Sequence, residues 1–147
     1  MAYDQNNDSS IEAGTVAGYN WIELALNKFV GIQEDVESEK IILGMPFYTR
    51  LWKEKNGEKI DSSVVNMESV DNVLPNDVEQ VWNDELKQNY VEYEKSGITY
   101  KMWIEDLDSI RAKVGLVKKY NLAGVAAWAK DREDERVWGV IKEELNK

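Results

Sequence analysis

The hydrophobic positions of this chain change rhythm three times. Ile22, Ala25, Leu26 and Phe29 recur at helical spacing behind Asn20, a residue suited to capping, and predict a helix over about 20–31. Ahead of it, MAYD (1–4) reads as the end of a buried strand and 5–15 as a loop. KIILGMPFY is a short apolar run whose length predicts a strand at about 41–48, buried on both faces. A helix followed by such a strand is the pattern of a parallel α/β unit.

The period then drops to two. Asn56-Gly57 stands between two extended stretches and predicts a tight hairpin. SVVNMESVDNVL predicts a short helix. VEQVW, NYVEYE and ITYKMWI alternate as strands do, separated by turn residues at Asn83-Asp84 and Ser96-Gly97. Residues 51–104 therefore predict a small antiparallel insertion. Helical spacing returns at Leu107, Ile110, Val114 and Val117, with Asp106 placed to cap and the helix running to about Tyr120. LAGVAAW predicts another buried strand at about 122–128, and Val137, Ile141 and Leu145 share one face of a terminal helix.

Composition narrows the chemistry. The chain has 147 residues and neither cysteine nor histidine, which excludes disulfides, thiolate nucleophiles, zinc sites built on those residues and any triad with an imidazole base. Twenty-eight acidic against 18 basic residues give a formal charge of −10, against a nucleic acid or an anionic membrane as partner. No apolar run is long enough to span a membrane, and the residues given do not read as a signal peptide, so the signal of an exported parent would be expected outside this sequence. Carboxylates, tyrosines, arginine and tryptophan remain. Six Trp and seven Tyr supply flat amphipathic rings that suit a carbohydrate face as well as a core.

Three predicted strands end in distinctive residues: MAYD, GMPFYTRLW and GVAAWAKDRED. In this order they resemble glycoside hydrolase family 18, the chitinase-like (β/α)8 TIM barrels, whose sites lie at the carboxyl ends of strands. The segment from Tyr100 to Trp128 is most similar to the bacterial branch that includes spore cortex-lytic N-acetylglucosaminidases. The resemblance implies an α/β fold comprising strands six to eight of the barrel, residues 1–50 and 105–147, with the family's α+β insertion at 51–104. Five strands and their helices would precede Met1.

The same resemblance assigns roles. Tyr3 would donate its hydroxyl to a substrate acetamido carbonyl, and Asp4 would stabilise the developing positive charge. Tyr48, Arg50, Trp52, Trp103 and Trp128 would bind sugar, Trp128 as the floor of the cleavage subsite. The family cleaves by substrate assistance, with the sugar's own carbonyl oxygen as nucleophile. Its general acid belongs to an Asp-x-x-Asp-x-Asp-x-Glu run that these residues lack: Asp131 and Asp134 match the first two positions, but Arg136 and Trp138 stand where Asp and Glu should. The implied ligand is an oligosaccharide containing N-acetylglucosamine, chitin-like or peptidoglycan, with no cofactor, no metal and no membrane insertion. The implied location is the outside, envelope or spore of a bacterium.

Without the family, the residues leave plainer readings open. Tyr3 is also a strand-end core residue, Asp4 a loop opener, Arg50 a surface cation paired with one of many acids, and Trp128 a core residue of an apolar strand. Trp52 and Trp103 serve equally as packing within the small sheet. A calcium loop at Asp4, Asn6 and Asp8 fails, because Ser9 and Thr15 replace the required Gly and Glu. The acidic run from Asp131 to Glu135 reads as a solvated loop ahead of a helix. A partial barrel with open edges is expected to self-associate.

Overall fold

The computed structural model describes residues 1–31 and 36–147. Two parallel strands, β1 (Ile42–Pro46) and β7 (Gly124–Trp128), pair from Ile42 opposite Gly124 to Pro46 opposite Trp128. Helices α1 (Tyr19–Gly31), α3 (Leu107–Tyr120) and α4 (Val137–Leu145) accompany them. Leu43 and Met45 of β1 form one core with Ile22 and Leu26 of α1, Ile110, Val114 and Val117 of α3, and Val137 and Ile141 of α4. Each such side chain contributes about 1.5–3 kcal/mol on full burial, so these positions hold the helices to the strand pair.

α3 follows its prediction. The Asp106 side chain accepts from Ser109 N–H while Ser109 returns a bond to the Asp106 backbone, and the helix stops at Asn121 in the left-handed conformation. α1 departs from its prediction in two respects. Gly18 C=O accepts from Ile22 N–H, so the helix starts at Tyr19, and Asn20 lies inside the first turn with its side chain bonded to Trp21 N–H and Glu85. Phe29 is half exposed, as is Leu24. The apolar stripe of α1 is wider than the strand pair beneath it.

Residues 1–4 are not a strand. Ala2 N–H donates to Gly44 C=O at 2.9 Å, but one bond is not a ladder, and apolar side chains alone do not make one. Gly44 permits the approach, since a Cβ there would lie 3.2 Å from Met1 Cα.

The intervening segment forms one antiparallel sheet of β2 (Tyr48–Lys55), β3 (Glu58–Asn66), β4 (Val81–Asn83), β5 (Gln88–Lys95) and β6 (Ile98–Ile104), in the order β3-β2-β6-β5-β4. Asn56 and Gly57 both take positive φ, 54° and 81°, in the two-residue turn that the sequence predicts, and Ser96-Gly97 repeats it at 55° and 72°. The helix predicted across SVVNMESVDNVL forms only in its second half. Its first four residues finish β3, where Val64 and Val65 pair with Arg50 and Thr49; a 3₁₀ turn at Met67–Ser69 and the single turn α2 (Val70–Val73) follow. β-branched residues beside an available strand favour the sheet. Of VEQVW, only Val81 and Trp82 join a strand.

The strand pair is covered unequally. β1 is buried from Leu43 onward, whereas Ala126 and Trp128 of β7 are exposed and Ile42 is 59% exposed. Bare edge groups next to apolar side chains invite pairing with a second copy. Light scattering of the chain at micromolar concentration should therefore give a mass above that of a monomer, and Ala126→Lys should return it to a monomer. A monomer without the substitution, unfolding cooperatively, would sink this expectation. Among the described residues no helix is long and apolar enough to cross a membrane.

Candidate functional site

One end of the strand pair gathers several of the expected residues. Phe47 N–H donates to Trp128 C=O at 2.7 Å, locking the end of β7 to the residue after β1. Tyr48 comes next, and its hydroxyl donates to Asp4 Oδ1 at 2.6 Å. Asp4 is exposed and holds φ at 59°, a conformation that a short polar side chain tolerates; it turns the chain away from β1 and leaves its carboxylate facing Tyr48. Tyr3 meets the Tyr48 ring edge-on at 6.3 Å between centroids. Burial, and after it the bond to Asp4, push the Tyr48 hydroxyl well above the usual phenol range, so it stays a donor. Trp128 is 58% exposed, which removes its reading as a core residue.

Arg50 shares a face of β2 with Tyr48, as their spacing predicts. It is 8% exposed and donates through Nη1 to Ser62 Oγ at 2.8 Å, while Nε is sealed from solvent with no hydrogen-bond partner among the described residues. The plain reading of Arg50 as a surface cation paired with an acid does not hold.

Trp52 corrects an expectation. It is fully buried, its indole N–H donates to Gly14 C=O at 2.9 Å, and Lys59 Nζ lies 5.2 Å from its ring centroid. Lys59 in turn donates to the carbonyls of Asp8 and Ser10. Trp52 therefore clamps the 5–16 loop onto the sheet and has no surface for a sugar. Trp103 is partly exposed, tilted against its cross-strand neighbour Tyr90 at 4.9 Å.

Sequence reasoning missed a buried polar chain behind the site. Thr15 Oγ1 donates to Gln88 Oε1 at 2.5 Å, Gln88 Nε2 to Glu105 Oε1 at 2.6 Å, and Lys113 Nζ to both Glu105 oxygens at 2.9 and 2.7 Å. Ser109 Oγ adds a bond to Glu105 Oε2 at 2.9 Å. Glu105 and Lys113 are both fully buried. Burial pushes the Glu105 carboxyl above its ordinary range, opposed by the Lys113 ammonium and by the hydrogen bonds from Lys113 and Ser109. A signal was present: Lys113 lies three residues after Ile110 and one before Val114, on the apolar face of its helix. Arg132 was also missed inside the acidic run. Its guanidinium carbon stands 5.9 Å from the Tyr48 ring centroid.

A carboxylate, two tyrosines and an exposed tryptophan gather at one end of a parallel α/β strand pair, with an antiparallel sheet inserted between those strands, an α/β arrangement matching chitinase-like domains. The comparisons agree. The model of the family described as "Glycosyl hydrolases family 18" matches residues 1–133, and the chain belongs to that family. An uncharacterized glycosylase of Bacillus subtilis, YvbX, is 27% identical over 97% of this chain, which spans 40% of that relative's length. A chitinase from Chromobacterium violaceum is 25% identical and superposes over all of this chain and 44% of its own, with a TM-score of 0.87. The spore cortex-lytic enzyme SleL of Bacillus megaterium shares the fold at 22% identity and a TM-score of 0.79, over 98% of this chain and 32% of its own.

Proposed function

We propose that this chain supplies strands six to eight of a (β/α)8 glycosidase barrel, residues 1–50 and 105–147, with 51–104 as its inserted α+β unit. The reading is a retaining hydrolase acting on β-1,4 bonds next to N-acetylglucosamine, in chitin-like oligomers or peptidoglycan of a bacterial envelope or spore. One observation carries it: Asp4 accepts a 2.6 Å bond from the buried Tyr48 at the strand ends where Trp128 is exposed.

In this reading the substrate's acetamido oxygen attacks the anomeric carbon and displaces the leaving sugar, giving an oxazolinium ion that water reopens from the opposite side. Two inversions retain configuration with no enzymic nucleophile. Tyr3 donates to the acetamido group, Asp4 offsets the positive charge, Tyr48 fixes the Asp4 carboxylate, and Trp128 is the flat floor. Arg50 and Trp103 complete the binding surface. The proton for the leaving oxygen comes from outside these residues. A glycan-binding module without hydrolysis is the second reading, one that keeps the exposed Trp128 and the Tyr48–Asp4 bond and dispenses with the acid.

Calorimetric titration with chitooligosaccharides should show that Trp128→Ala weakens binding more than Trp138→Ala. Trp138 is also half exposed, but it sits on α4 and packs edge-on against Phe47 at 5.5 Å. Each ring still loses packing when truncated, Trp138 its contact with Phe47, so variants are compared only where circular dichroism shows them folded. Equal losses would remove Trp128 from its place beneath the sugar.

A further inference from the structure

The antiparallel sheet leaves one tryptophan uncovered on its far edge. Trp82 of β4 is 41% exposed, and β4 stands three strands from β2, roughly 14 Å at the usual inter-strand spacing. Residues paired across two strands share a face of the sheet. Trp82 pairs with Asn89, whereas Tyr90 pairs with Trp103 and Lys101 with Trp52, so Trp82 lies on the face opposite Trp103, Arg50 and Tyr48. That face turns toward α3, where Asn89 donates to Asp106 at 2.9 Å. Trp82 is therefore outside the strand-end cluster.

Between Trp82 and the line where α3 packs on α4 runs an open groove of about 450 Å³. The indole is kept from folding down into it, because its N–H faces Asp84 Oδ1 at 3.4 Å and Asp84 is held by Lys87 at 2.6 Å. Ala112 and Gly115 of α3 form the floor; within 4 Å a Cβ at Gly115 would meet only Glu144 Oε1, at 3.9 Å. Asp108, Arg111, Glu144 and Lys147 make the rim, two carboxylates against two cations in a chain of charge −10. Lys147 reaches Glu144 at 2.7 Å and Arg111 lies 3.6 Å from it, so the rim has no net charge to draw an ion. It still offers hydrogen bonds: Arg111 uses Nη1 on Glu143 at 3.0 Å and keeps the rest of its donor fork at the groove.

A ligand for this groove must bring an apolar face to the indole and hydroxyls to the rim. A gluco-configured pyranose does both, with C–H bonds on its two faces and hydroxyls around its edge. A protein partner matches less well, because a stable interface covers about 800 Å² per partner around an apolar centre, and here one aromatic stands among charged groups. We propose that the groove is a second carbohydrate site, taking a neutral pyranose of a β-linked glycan flat against Trp82, with Arg111, Asp108 and Glu144 bonding its hydroxyls. This inference rests on the glycan reading given above and adds to it a point of attachment away from the strand ends.

The test is an NMR titration of the isotope-labelled 147-residue chain with triacetylchitotriose, following the indole N–H signals of its six tryptophans, each assigned through its Trp→Phe variant. The sealed Trp52 is the reference. The Trp82 and Trp128 signals are expected to move with separate midpoints, and Trp128→Ala should leave the Trp82 response in place. Gly115→Gln fills the groove from its floor while keeping Trp82. Gln forms helix better than Gly, so this variant should keep its Tm yet lose about tenfold or more in affinity at Trp82, which separates blockage from unfolding. A Trp82 signal that stays still while that of Trp128 moves, or that moves equally in Gly115→Gln, overturns the second site and leaves the strand-end site standing. A Trp82 signal that moves alone, and is lost in Gly115→Gln, upholds the second site and removes the strand-end one. No movement of either overturns both.

Discussion

Incubated with chitooligosaccharides, these 147 residues alone should release no measurable N-acetylglucosamine. The expected deficit is large: general acid catalysis contributes about 10²–10⁴-fold, and positioning the sugar against the acid contributes further. The residues that cluster at the strand ends are one carboxylate, phenols, guanidinium groups and indole. Asp4 is committed to receiving the Tyr48 hydroxyl, and no carboxyl in the matched motifs is placed to protonate a leaving oxygen. Glu105 is the buried acid of the polar chain behind the site. It is fully buried and receives bonds from Lys113, Ser109 and Gln88. A proton held there has no route to a substrate. Reducing-end assays should therefore give equal, background values for the unaltered chain and for Glu105→Gln. Turnover at the rate of a complete family 18 enzyme, abolished by Glu105→Gln, would falsify this account of the site.

Lys113→Met should destabilise the chain by about 3–5 kcal/mol, because it leaves the Glu105 carboxylate buried without its counter-charge. In a chain of this size that corresponds to a fall in Tm of about 6–20 °C. The loss should reach beyond α3, since Glu105 also anchors Gln88 and, through it, Thr15. Glu105 joins the strand to the cap of α3, Gln88 begins β5, and Thr15 closes the loop that begins beside Asp4. Glu105→Gln combined with Lys113→Met should recover a large part of the stability, because an amide still hydrogen-bonds to its neighbours and carries no charge to strand. Thermal unfolding followed by circular dichroism measures both. A single Lys113→Met variant within about 1 kcal/mol of the parent would mean that water reaches the Glu105 carboxylate.

The elements differed in how plainly the sequence announced them. Both Asn-Gly and Ser-Gly hairpins were legible, because two successive positive φ angles admit few residue types. The capping of α3 by Asp106 was legible for a similar reason: a short side-chain acceptor at that position satisfies an N–H that the helix cannot. The segment 63–74 was misread, since its local pattern does not contain the fact that β2 lies alongside and takes Val64 and Val65 as partners. Tyr48 and Arg50 were read correctly as sharing a face, a matter of alternation alone, but the bond from Tyr48 to Asp4 joins residues 44 positions apart. Trp52 and Trp128 show the limit most clearly. Both follow apolar residues, and local pattern gives them the same status, yet one is sealed under the 5–16 loop and the other lies open at a strand end.

The sequence by itself determined the succession of α/β, antiparallel and again α/β segments, the two tight turns, the absence of thiol and imidazole chemistry, and the motif set that places the chain in its family. Those properties are local, set by backbone sterics, hydrophobic period and residue type. Tertiary structure alone decided which aromatics are exposed, which acid is neutralised by Lys113, and which arginine stands over the Tyr48 ring. Burial and pairing depend on what the distant chain brings alongside, and the free energy of a charge is set by those neighbours more than by its own identity.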